Sequence, residues 1–214
     1  TLVERRVISQ WVIKITAYAD RLIDGLASTE FIEKVKAAQI NWIGHSEGAR
    51  VRFPIVQRQG VEGDYGALEI FTTRPDTLWG STFMVVAPEH PLAAQAAADV
   101  PEVAAYIEAA RHKSDLERAE ETREKTGVFT GMQARNPATG EKIPIWVSDF
   151  VLMSYGTGAI MAVPAHDERD HAFARQFGLK ITPVIQPPED WAFDEAAYTG
   201  HDGVAINSGP IDGL

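Results

Sequence analysis

From its start, the chain spaces apolar residues as a helix would, then changes period. Val7, Ile8, Trp11, Val12, Ile15, Tyr18, Ala19, Leu22 and Ile23 recur three and four apart. That is the stripe of an amphipathic helix, and Gly25 would end it. Ser28 or Thr29 is the candidate cap of a second helix with Phe31, Ile32 and Val35 turned inward. Beyond Asn41-Trp42-Ile43-Gly44 the period falls to two. Val51, Phe53 and Ile55 alternate as in a strand, Gly60 to Gly66 is rich in turn residues, and Ala67 to Thr73 predicts the returning strand. Further strands are expected at Phe83 to Ala87, Ile143 to Val147 and Ala159 to Val163, with a short one at Pro183 to Ile185. Pro91 to Lys125 predicts mostly helix, and Asp167 to Phe177 a helix that stops at Gly178.

Helices and strands alternate without a regular βαβ period. The expectation is an α/β fold, a compact domain with a mixed sheet or barrel core surrounded by helices, preceded by the two opening helices. The division falls after residue 44, with 1–44 a helical lead-in and 45–214 the main domain. Neither end closes on an obvious element, so the chain reads as a fragment of a larger protein, truncated at its C-terminus.

Composition narrows the classes. At 214 residues and 45% hydrophobic content, the chain is long enough and apolar enough for a core. It contains no cysteine, which excludes a disulfide scaffold, a cysteine nucleophile and any cysteine-ligated metal. Uncharged apolar runs such as Thr157 to Ala165 fall short of the ~20 residues of a membrane span, and no signal-like stretch follows the start. The expected location is the cytoplasm, away from membranes. A formal net charge of -10 argues against binding nucleic acid through many phosphates, so any such contact must be short and local.

Three clusters could carry chemistry. Gly44-His45-Ser46-Glu47-Gly48 fits the G-x-S-x-G pattern of a serine nucleophile elbow. The elbow needs a strand before the serine and a helix after it, and here the order is reversed, which favours a polar hinge. His166-Asp167-Glu168-Arg169-Asp170-His171 has two pairs of residues at helical spacing. It could start a metal site, although the remaining ligands are not evident in sequence. It could equally be a helix start, with Asp167 as the cap and Asp170 at the third helical position. A carboxylate held ionised there would suit a ligand's ammonium group. Phe71-Thr72-Thr73-Arg74-Pro75-Asp76-Thr77 crowds hydroxyls and one arginine at a strand exit. The arginine could pair a phosphate or carboxylate, and the hydroxyls could place a water or a ribose, or the segment is a capped turn. Gly156-Thr157-Gly158 would permit close backbone approach. Neither a Walker loop nor a dinucleotide fingerprint is present.

Thr72 to Thr77, Ala87 to Leu92 and Gly156 to Asp170, in that order, resemble the editing domain of leucyl-tRNA synthetase, the insertion called connective polypeptide 1. Trp11 to Thr16 and Trp42 to Gly48 resemble the synthetase segments leading into that insertion, so the likeness covers nearly the whole chain. Valyl and isoleucyl synthetases carry related domains, and the valyl one is the nearest alternative. Signatures of the synthetic core are absent, so aminoacylation, with its ATP binding, is expected only of a full-length enzyme. The resemblance implies hydrolysis of the ester of mischarged tRNA(Leu), carrying norvaline, isoleucine or similar. It implies that Asp170 binds the α-ammonium, and that Thr72 and Thr73 line the ester and a water. Thr77 would exclude leucine's side chain, with Met161 and Val163 as pocket walls. Arg74, Leu152 and Tyr155 would contact the 3′-terminal adenosine, with His166 and Asp167 supporting the turn. Water attack without a metal or other cofactor is the implied mechanism. The implied partners are the tRNA(Leu) acceptor end and the remainder of the synthetase. A metal-dependent hydrolase built on His166 to His171 is the other alternative.

Overall fold

The computed structural model describes residues 9–44, 46–114, 117–118, 124–153, 156–200 and 203–214. Contacts divide the chain into two units, Arg5–Glu47 and one containing Gly48–Leu214. In the first, the long opening helix is not formed as expected. Ile15–Tyr18 is a 3₁₀ turn, and only α1 (Ala19–Gly25) is α-helical, while residues 9–14 have no regular structure. Val7 and Ile8 lie outside the described residues. Helix α2 (Glu33–Ile43) begins after Ile32 with no side-chain cap. Ser28 and Thr29 donate instead to Gly25 O and Leu26 O, closing the turn before them. The apolar stripe faces outward: Trp11, Val12, Ile13, Ile15, Phe31 and Ile32 are all exposed, and so is Trp42.

In the second unit the alternation at Val51 to Ile55 becomes β1 (Ala49–Arg58). It turns through β2 (Val61–Glu62) and pairs antiparallel with β3 (Ala67–Thr72), from Ala49↔Thr72 to Pro54↔Ala67. Next come β4 (Phe83–Val86), β5 (Val128–Arg135), β6 (Lys142–Val147) and β7 (Ala159–Ala162). The seven strands run β2-β1-β5-β6-β4-β7, with β3 also on β1. Pairing is antiparallel except between β4 and β6, so the sheet is mixed. Among the described residues, β3 and β7 approach each other without a hydrogen-bonded ladder between them, leaving a curled but open sheet rather than a closed barrel.

Strand β5 is absent from the sequence reading. Its inward face, Thr130, Met132 and Ala134, alternates straight through the register shift against β6 between Phe129 and Gln133, but that face includes a hydroxyl while Phe129 on the other face is exposed. An apolar-polar pattern does not reveal a strand whose inward face carries a polar residue and whose outward face carries an aromatic one. The short strand expected near Ile185 is a single bridge to Ala205.

Helices α3 (Pro91–Ala97) and α4 (Pro101–Ala110) each open on a proline, whose missing N–H costs nothing in a first turn. Helix α5 (Glu168–Phe177) ends at Gly178 as expected. Strand β4 is buried on both faces. Met84 and Val86 join Phe53, Ile70, Ile145 and Val103 in one core, while Phe83 and Val85 join Phe150 and Phe173 in another. That double burial accounts for its unbroken apolar run. Phe173 stacks on Phe83 at 5.3 Å between ring centroids, fixing α5 to the sheet. Among the described residues, no helix is long and apolar enough to cross a membrane.

Candidate functional site

The seam between β3 and β7 holds a cleft of about 230 Å³. Thr72, Thr73, Arg74, Thr77, Met161, Val163, His166, Asp167 and Asp170 all line it. Nine positions singled out from two distant stretches of sequence therefore meet at one place. Leu152 is not among the lining residues, and Tyr155 lies outside the described residues. Gly158 is approached closely by Met153 rather than opening onto the cleft.

One wall is the exit of β3 and the 3₁₀ turn Pro75–Gly80. Thr72 Oγ1 accepts from Arg74 N at 3.0 Å, which bends the chain out of the strand. Arg74 then forks onto Asp76, with Nε to Oδ1 at 3.0 Å and Nη2 to Oδ2 at 2.7 Å. The pairing raises the guanidinium's pKa and holds the Asp76 carboxyl below its usual range. Thr77 is 4% exposed and donates from Oγ1 to Arg74 O at 2.9 Å. That bond pins a β-branched side chain, so Thr77 offers the cleft a fixed shape. Thr73 is exposed at the mouth.

The other wall is β7 and the start of α5. Asp167 is the helix cap, accepting from Arg169 N at 2.9 Å and Asp170 N at 3.1 Å, with Arg169 ion-paired to it. Asp170 occupies the third helical position, as expected, but its environment is not that of an exposed helix start. It is 4% exposed, and Oδ2 turns back to accept from Val163 N at 2.8 Å. Its Oδ1 is buried with no hydrogen-bond partner among the described residues. Burial first, and the neighbouring Asp167 charge second, push the Asp170 carboxyl well above the usual range. The sequence expects a carboxylate held ionised at this position, whereas burial works against the charge.

His166 serves the turn. Its Nδ1 lies 2.8 Å from Tyr198 O, and Nε2 accepts from Val184 N at 3.0 Å and Ile185 N at 3.1 Å. The acceptor role of Nε2 places the proton on Nδ1 and fixes a neutral ring. Burial lowers its pKa to match. His171 Nε2 is 2.7 Å from Phe193 O. With these nitrogens bound to backbone, the His166-to-His171 stretch is a poor ligand set. Among the described residues there is no group of three or more metal-ligating side chains. In the hinge-like Gly44-to-Gly48 stretch, α2 precedes Ser46 and β1 follows, the reverse of a nucleophile elbow, while His45 lies outside the described residues.

Phe71, Ile160 and Arg169 also line the cleft; they fall within the motifs read from the sequence but are given no site role there. Each neighbours a residue that was singled out, and period alone could not tell which side of the seam it faces.

Residues 40–214 match the family model described as leucyl-tRNA synthetase, editing domain. The leucine–tRNA ligase of Roseiflexus castenholzii is 55% identical over 99% of this chain and 25% of its own length. That of Rubrobacter xylanophilus is 55% identical over 100% of the chain and 25% of its length. A crystal structure of the Agrobacterium radiobacter K84 agnB2 LeuRS, in a ternary complex with tRNA and LeuAMS, superposes with a TM-score of 0.68 at 40% identity. It covers 86% of this chain and 22% of that one. The chain spans about a quarter of the length of the curated relatives it matches.

Proposed function

Because the chain belongs to the leucyl-tRNA synthetase editing-domain family, we propose that its cleft hydrolyses the aminoacyl ester of tRNA(Leu) charged with the wrong amino acid. Norvaline and isoleucine are the expected side chains. Leucine and its isomers differ by groups that a pocket separates by only ~1–3 kcal/mol, so a second, excluding sieve is needed. The family match names the leucyl synthetase, so the valyl alternative is not taken forward.

One observation carries the proposal: the orphaned Oδ1 of Asp170 on the cleft wall. A buried oxygen without a partner is costly, and an α-ammonium entering the cleft would supply both the hydrogen bond and the opposite charge. Substrate binding would then draw the carboxyl into its ionised form and orient the ester. Thr72 and Thr73 would sit beside the scissile bond and place the attacking water. Thr77, Met161 and Val163 would surround the side chain, with Thr77 rejecting a branch at the γ carbon. Arg74, Leu152 and Tyr155 would meet the terminal adenosine, Arg74 being already oriented by Asp76. Catalysis would rest on orientation and on stabilising the tetrahedral intermediate, with no metal or other cofactor.

The acidic balance fits a contact limited to the single-stranded 3′ acceptor end, with the remainder of the synthetase holding the tRNA body. Residues 1–44 would be the lead-in from that remainder and 45–214 the editing domain. The exposed Trp11, Phe31 and Trp42 would then be covered by the rest of the enzyme. Side-by-side deacylation of isoleucyl- and leucyl-tRNA(Leu) tests the reading. Hydrolysis of the first with sparing of the second is expected, and equal rates on both would overturn it.

A further inference from the structure

The turn that carries Thr77 is clamped from a distant part of the chain. Asn136, at the start of the loop between β5 and β6, is fully buried. Its Nδ2 donates to Leu78 O at 2.9 Å and to Ser81 O at 3.1 Å, and its Oδ1 accepts from Ala138 N at 2.9 Å. Both amide hydrogens and the carbonyl are thereby used, which fixes the orientation of the group. The two carbonyls it holds flank Gly80, the last residue of the Pro75–Gly80 turn.

Gly80 is clamped from the other side. A Cβ there would lie 2.9 Å from Val184 Cγ2, 3.1 Å from Thr182 O and 3.2 Å from Val163 Cγ1. Val163 is part of the opposite wall of the cleft, and the Val184 amide donates to His166. Only the absence of a side chain lets the turn sit this close to that wall. Thr77 is therefore fixed within its turn by Arg74 O, and the turn is fixed between the β5–β6 loop and the wall that Thr77 faces across the cleft.

We propose that Asn136 and Gly80 are specificity-determining positioning residues, which hold the Pro75–Gly80 turn against Val163 so that Thr77 closes the space a γ-branched side chain needs. The inference rests on the reading of Thr77 as the excluding residue. Exclusion of one methyl branch depends on placement at the ångström scale, and a turn free to move outward would admit it. Asn136 and Gly80 would touch no substrate and act only through Thr77.

The test uses a full-length leucine–tRNA ligase carrying this chain as its editing domain. Deacylation rates on leucyl- and isoleucyl-tRNA(Leu) are compared for the wild type, Asn136→Ala, Gly80→Ala, Thr77→Ala and the Asn136→Ala/Thr77→Ala pair. In both positioning variants the leucyl-to-isoleucyl rate ratio should rise by about tenfold or more, as expected for a displaced contact of this kind. The double variant should hydrolyse leucyl-tRNA no faster than Thr77→Ala alone, since the two act on one element. A purely structural role would slow both substrates together and leave the ratio unchanged, overturning the proposal. If Asn136→Ala fails to fold, the ratio in Gly80→Ala decides alone. Should Thr77→Ala leak leucyl-tRNA while Gly80→Ala does not, the positioning role falls and the excluding role of Thr77 stands. Should Thr77→Ala itself spare leucyl-tRNA, both fall.

Discussion

The two walls of the cleft are built on opposite terms. On the β3 side, the polar groups are satisfied locally and partly in water: Thr72 on Arg74 N, Thr77 on Arg74 O, Arg74 on Asp76. Each partner is two or three residues away, so this wall is a rigid shape with its hydrogen bonds already closed. On the α5 side, Asp170 is buried and half satisfied, with one oxygen on Val163 N and the other without a partner among the described residues. One wall is finished without a ligand and the other is not. The difference teaches how the labour is divided: the satisfied wall can exclude, whereas the unsatisfied wall can attract. Asp167, three residues before Asp170 on the same helix start, makes the point by contrast. It caps the helix with its oxygens on two backbone amides and an arginine, and contributes structure where Asp170 offers an unused acceptor.

The largest expected effect breaks the unsatisfied wall. Asp170→Ala removes a charged hydrogen bond worth ~1.5–3 kcal/mol, and the misplaced ester loses more. Deacylation of isoleucyl-tRNA should fall by at least about tenfold while circular dichroism shows the fold intact, because Asp167 still caps α5. A folded and fully active variant would contradict the assignment. Next comes the satisfied wall. Thr77→Ala should open the space for a γ branch and let leucyl-tRNA be hydrolysed while isoleucyl-tRNA is still cleaved, and Thr77→Tyr should fill the cleft and stop both. Paired rates on the two charged tRNAs decide this.

A smaller effect concerns stability. The folded chain keeps the proton on Asp170 to higher pH than the unfolded chain does. From about pH 4, where a free carboxyl titrates, up through the raised folded value, the folded state binds more protons. Over that window this residue's contribution to stability therefore falls as pH rises. Asp170→Asn keeps an acceptor for Val163 N without the charge. It should unfold at a higher temperature than wild type near neutral pH and lose that component of the pH slope, although deacylation is lost. Thermal unfolding across the window checks the sign, and a wild type that gains on Asn as pH rises would refute it. The smallest effect is none at all. With His166 and His171 engaged on backbone groups, deacylation should survive a strong chelator, and loss of activity restored by zinc or manganese would reverse the proposed mechanism.

Features set by neighbours a few residues apart were legible in the sequence. The cap at Asp167, the third-position placement of Asp170, the stop at Gly178 and the alternation of β1 depend on spacings that backbone geometry imposes wherever the chain lies. Nine of the positions named by resemblance line the cleft because they fall in two short and distinctive runs, whereas Leu152 is not in its lining and Tyr155 lies outside the described residues. Long-range features were not. The apolar stripe near Trp11 reads as a buried helix face, yet Trp11, Val12, Ile15 and Leu22 are exposed, and without packing an isolated helix gains little. Strand β5 was hidden because Thr130 lies on its buried face and Phe129 on its exposed one, and the Thr130 hydroxyl is satisfied by Ile145 O, a partner no local period reveals. The same holds inside the cleft. Spacing puts Asp170 on a helix start, but only the approach of β7 buries it, orphans one oxygen and lifts its pKa. Asn136 looks like an ordinary turn residue until the fold brings Leu78 and Ser81 to it. Hydrogen bonds closed within a turn are written in the order of residues, whereas burial and desolvation depend on which distant segments meet.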